Sequence, residues 1–150
     1  MMEIDPIYFV SPLSVIAFSS GLVIYWHLKR KLTVWTFLYS LTAYAGAIAL
    51  KYAVQIPTIE AFESAAGSNP FALGFYYGSQ TALFEVGGAF LLALIAVSRG
   101  KFTADDAEGY GFGLAFWENA ILFAIPLLIA YIAYYALLLT PMYLRRSIRP

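Results

Sequence analysis

Residues 74–119, GFYYGSQTALFEVGGAFLLALIAVSRGKFTADDAEGYGFGLAFWEN, decide the fold. Two apolar segments flank a short charged loop, and each carries one glutamate where hydrocarbon is expected, Glu85 in the first and Glu118 in the second. An ionisable side chain at membrane depth is costly and marks a functional site by default. At the α-helical rise, Glu85 lies roughly 20 Å from the loop and Glu118 roughly 21 Å past Thr103. Helices joined by so short a loop pack antiparallel, which would bring both carboxyls to similar depth. If they meet in a low-dielectric setting, one keeps its proton and serves as an acid while the other serves as a base. The plainer reading is that each glutamate is interhelical glue, hydrogen-bonded to Asn119, Gln80 or a tyrosine, worth about 0.6 to 2 kcal/mol.

Composition agrees with a membrane setting. Of 150 residues, 61% are hydrophobic and 12% charged, with a mean hydropathy of +0.73. Soluble domains run closer to about half apolar and a quarter charged. The expected fold is an all-α integral membrane protein, one transmembrane helical domain covering 1–150, in contact with the lipid bilayer. Cysteine is absent and His27 is the single histidine. A haem or zinc centre needs ligands that such a chain lacks, so no cofactor and no metal are expected. The formal net charge is zero, which gives no electrostatic basis for binding nucleic acid.

The remaining chain supplies the other spans. The start, MMEIDP, is acidic and no small-residue cleavage site follows the first apolar run, so residues 7–27 are expected as a retained span rather than a cleaved signal. Lys29, Arg30 and Lys31 follow it and, by the positive-inside bias, lie in the cytoplasm of a cell-membrane protein, with the N-terminus outside. A second span over about 33–54 is rich in small residues suited to close helix approach. Lys51 near its end either snorkels to the interface or acts as a counter-ion for a glutamate on a neighbouring helix. Residues 56–70, punctuated by Pro57, Gly67 and Pro70, read as an outer loop with a turn or two of interfacial helix. The third span, about 71–98, carries a small-residue row at Gly74, Gly78 and Ala82 that predicts a packed face bordered by Glu85. Arg99 and Lys101 return the chain to a second cytoplasmic loop near 99–108. Thr103 and Asp106 form a capping pair for the next helix. From 110 to 144 the chain is nearly all apolar. About 52 Å of helix exceeds a hydrocarbon core of about 30 Å. Four principal spans, the last kinked at Pro126, are expected, with five as the alternative favoured by Arg145, Arg146 and Arg149.

Over roughly 69–122, NPFALGFYYGSQTALFEVGGAFL followed by GYGFGLAFWENAIL, the sequence resembles the YhfC-type family of glutamic intramembrane proteases, relatives of the CAAX-type and PrsW-type membrane proteases. The family pattern is a glutamate pair followed by Gly and Arg on one helix, then a Gly-x-Gly-His run leading to another Glu on the next. Glu85 matches the second glutamate and Glu118 the last. Phe84 replaces the first glutamate, Gly88 the arginine and Leu114 the histidine. The resemblance implies water activation by carboxylates and histidines in the family. General-base work needs a water held by several polar groups, and Phe84 and Leu114 offer none. It therefore implies a pseudoenzyme, a non-catalytic relative.

The leading functional expectation is an accessory or structural membrane subunit, acting as a homo-oligomer or with other membrane subunits. The alternatives are an intramembrane peptidase using Glu85 and Glu118, and a small proton-coupled carrier in which the carboxyls act as a relay. The intramembrane polar residues Lys51, Gln80 and Asn119 complete the candidate set.

Overall fold

The computed structural model describes residues 5–29, 32–67 and 69–147, with side chains except at 104 and 138–147. Arg30 and Lys31, two of the basic residues behind the orientation, and Arg149, one of those favouring five spans, lie outside the described residues, as do the side chains of Arg145 and Arg146. The described chain is helical, without strands, and forms four helices long and apolar enough to cross a membrane. This is an all-α, multi-pass membrane protein.

The first helix, α1 (Ile7–Leu28), begins with the Ile7 amide donating to the Asp5 carboxylate at 2.9 Å. Pro12 sits in its second turn, where the lost donor disturbs few bonds. The second, α2 (Val34–Ala66), is capped by Thr33, whose hydroxyl accepts from the Thr36 amide at 3.1 Å. It runs well past the expected end near residue 54 and passes through Pro57. Thr58 donates its hydroxyl to the Val54 carbonyl at 2.6 Å, a local bond in the turn where the proline donor is missing. Glu, Ala and Ser dominate 60–66, and Glu and Ala in particular favour helix. The stop comes at Gly67, with φ 57°, whose amide reaches the Glu63 carbonyl at 2.9 Å. Most of the expected outer loop is therefore helix.

The third helix, α3 (Pro70–Ser98), opens on Asn69, which accepts from the Phe71 and Ala72 amides. Its middle, Thr81–Val86, is π-helical. The fourth, α4 (104–147), joins Ala104–Phe116, a π-helical stretch Trp117–Ala124 and Ile125–Ser147 without an intervening loop. The chain passes Pro126 as helix, which settles the span count at four. The irregularity expected at Pro126 lies just before it, in the π stretch. π-Bulges and prolines are both recognised sites of departure from regular α-helix.

The residues gather into two compact units. One comprises 26–114. Within it α2, α3 and the start of α4 pack through small residues: Ser40, Ala43 and Ala47 of α2 are buried, as are Ala89 and Ala96 of α3. A methyl group added at Gly113 would sit 2.9 Å from Ser40 Cβ, so only glycine permits this approach. Ala43, Ala96, Phe102 and Tyr110 form the core, against which Tyr39 and Leu114 pack. Phe102 meets both Tyr39 and Tyr110 edge-on at 5.3 Å between centroids, a preferred aromatic geometry. Tyr110 donates its hydroxyl to the Ala89 carbonyl at 2.8 Å, tying α4 to α3.

The Thr103–Asp106 cap forms as expected, with the Thr103 amide and hydroxyl each donating to Asp106 Oδ2 at 2.8 Å. Asp106 Oδ1 also accepts from Thr36 of α2 at 3.2 Å. His27 bonds the Leu32 carbonyl at 2.9 Å through Nδ1 and closes the turn between α1 and α2.

The second unit comprises 1–25 and 115–150. Here α1 meets the last part of α4 through rings: Phe9 lies edge-on to Tyr131 at 6.1 Å and to Tyr135 at 6.3 Å. Ala120 and Ala124 are buried.

Candidate functional site

Both intramembrane glutamates fall inside the π-helical stretches, Glu85 in Thr81–Val86 and Glu118 in Trp117–Ala124. A π turn widens the helix and re-aims the side chains that follow it. Such turns are rare and frequent at functional sites. No composition or periodicity in the sequence signals them.

Glu85 belongs to the unit of residues 26–114. Lys51 of α2 donates its ammonium to Glu85 Oε1 at 2.5 Å and to Thr81 Oγ1 at 3.0 Å. Thr81, one turn before Glu85, donates to the same Oε1 at 3.4 Å. The Lys51 and Glu85 side chains are 18% and 16% exposed. Lys51 thus takes the counter-ion role rather than the interfacial one. Desolvating either charge alone is expensive, and mutual attraction in a low dielectric offsets that cost. Thr81 was not singled out in the sequence, although its i−4 spacing from Glu85 puts both on one helical face.

Gln80 is buried at 7% exposure, and its Oε1 accepts no hydrogen bond. Gln55, one turn beyond Lys51 on α2, has a buried Oε1 in the same condition. Buried polar atoms are nearly always bonded, so two such oxygens on adjoining helices form a local feature of the seam. Gln55 escaped the sequence reading because Pro57 suggested a loop there. Farther along, Thr58 and Tyr76 share a hydrogen bond of 2.6 Å, Phe62 stacks on Tyr76 at 4.3 Å, and Tyr77 donates to Glu63 at 3.3 Å.

The small-residue row does not pack as predicted. Gly74, Gly78 and Ala82 are exposed, and open space surrounds the positions a Cβ would take on the two glycines. The row runs along an exposed face of α3 that leads up to and into the π stretch. After it, Gly88 and Ala89 face inward, with Gly88 against Ala47.

Glu118 and Asn119 belong to the other unit. Both are exposed, and Asn119 donates its amide to the Ala115 carbonyl at 2.8 Å. Leu114, at the position where the resemblance expects histidine, is a packing residue against the core of its own unit. Among the described residues, no group of three or more His, Cys, Asp or Glu side chains gathers as a metal site would require. Comparison with protein-family models, with curated proteins and with solved structures gives no match to this chain.

Proposed function

We propose that this small polytopic membrane protein is a non-catalytic accessory or structural subunit, a relative of the glutamic intramembrane proteases that keeps their frame without their chemistry. The observation that supports this reading is the contrasting state of the two glutamates. The Glu85 carboxylate is engaged in an ion pair with Lys51. Glu118 is exposed on its helix. A carboxylate open on a spanning helix is costly in lipid and is covered by protein or water in working membrane proteins. A second copy or another membrane subunit would supply that cover. In the family pattern an arginine stands at position 88; here Lys51 supplies the cation from the neighbouring helix.

The orientation follows from charge. Loops near 28–32 and 99–108 would face the cytoplasm of the cell membrane, and the N-terminus the outside.

Native mass spectrometry of the protein released from its own membranes tests the proposal. A defined homo-oligomer or a stoichiometric companion, lost on Glu118→Leu, is the expected result. A lone monomer overturns it, as does cleavage of transmembrane-segment peptides that disappears with Glu85→Gln or Glu118→Gln.

A second reading, the small proton-coupled carrier, draws on the Lys51–Glu85 pair itself, because paired intramembrane charges mark proton relays. Proteoliposome proton flux abolished by Glu85→Gln would favour it over the accessory role.

A further inference from the structure

We propose that the seam between α2 and α3 is a hydrated proton-access route ending at the Lys51–Glu85 pair. The two helices run antiparallel in this unit. Thr58 meets Tyr76 on one side, and Lys51 meets Thr81 on the other. Gln55 and Gln80 each fall between these two crossings along their own helix, so both amides occupy the same interval of the seam.

Each carries a buried oxygen with no partner. Turning an amide over would exchange the oxygen for its NH₂ group. Water donates to the oxygen or accepts from the NH₂ group, so either orientation takes the same guest. Leaving such a group unsatisfied costs its desolvation penalty, which a hydrogen-bonding guest removes.

The charge of the site selects the guest. Lys51 and Glu85 already sum to zero, so a metal ion would add an uncompensated charge in low dielectric. Water is neutral, donates and accepts, and is held by about three polar partners when buried. The route continues past Thr58 and Tyr76 to Tyr77 and Glu63. Glu63 is exposed, twelve residues or about 18 Å along α2 from Lys51. Hydroxyls along this seam both donate and accept, as proton transfer requires.

The transfer is balanced. A hydronium ion at the Glu63 end becomes water, one proton moves along the hydrogen-bonded line, and the Glu85 carboxylate becomes a carboxylic acid. Lys51 remains an ammonium and is released from its ion pair. Withdrawal of the proton restores the pair. The titratable groups near Glu85 are Lys51 from α2 and, from α4, the Tyr110 hydroxyl, which is engaged by the Ala89 carbonyl four residues on.

The test is time-resolved infrared spectroscopy of the full chain in nanodiscs after an acid jump, with ¹³C-labelled glutamate and the Glu85 band assigned by Glu85→Gln. We expect Gln55→Leu combined with Gln80→Leu to slow Glu85 protonation at least tenfold. The exposed-side control Phe75→Leu should retain the wild-type rate. If the double variant does not assemble, Gln80→Met is read in the same way. A Glu85 band that ignores the acid jump, or wild-type kinetics in the leucine variant, overturns the route. Neither outcome depends on whether a companion subunit covers Glu118.

Discussion

Lys51 and Glu85 meet across two helices at 2.5 Å, with Thr81 touching both. They lie 34 positions apart in the chain, so the contact ties distant parts of the sequence at membrane depth. Removing one partner of a buried pair leaves a bare charge and typically costs about 3–5 kcal/mol, whereas replacing both with apolar groups is often neutral. Residual exposure places this pair toward the lower end. Lys51→Met should destabilise the protein by about 3 kcal/mol, and Lys51→Met with Glu85→Leu should recover most of that. Reversible unfolding in bicelles measures both; equal losses in the single and double variants would contradict the coupling.

Gly113 is held against Ser40 more tightly than any Cβ allows. Overpacking of this kind costs about 1–3 kcal/mol. Gly113→Ala should lower stability by that amount and Ser40→Gly should relieve it. Gly111→Ala, which meets open space, should cost nothing. A Gly113→Ala protein as stable as the parent would show that α2 and α4 approach less closely.

Asp106 accepts from Thr103 twice and from Thr36 once. Loss of a capping side chain costs about 0.5–2 kcal/mol. In Asp106→Ala, amide hydrogen exchange should accelerate over 101–107 while the centre of α2 keeps its protection. Unchanged exchange in that segment would remove the cap from the account.

The Tyr110 hydroxyl bonds a backbone carbonyl of α3 in a buried setting. Tyr110→Phe keeps the ring contacts with Phe102 and deletes one hydrogen bond, a loss of about 1 kcal/mol. The same unfolding assay reads it, and Tyr110→Ala should cost several times more because the aromatic core goes with it.

Much of this fold is legible from residue patterning, and the reasons are local. The apolar spans, the Thr103–Asp106 cap and the small-residue centre of α2 each follow from short-range chemistry. Pro57 misled because its side chain reports a missing donor without reporting the helix-favouring stretch that follows. Glu85 and Lys51 stood out as costly charges, yet their pairing depends on the register of α2 against α3, which single residues do not encode. The exposed state of Gly74 and Gly78 was hidden for a further reason: a row of small residues marks a face able to pack, and which face meets α2 depends on the register of the two helices.

That π-helical stretch makes α3 two helical segments on one axis, out of phase with each other. One extra residue corresponds to about 100° of rotation at 3.6 residues per turn. The half beginning at Pro70 turns its glycine row outward, and the half ending at Ser98 turns its small residues toward α2. A deletion of one residue within 81–86 would bring the two halves back into step. Glu85 sits on the turn that keeps them apart, so the irregularity that aims the carboxylate at Lys51 also lets a single helix present small-residue surfaces in two directions.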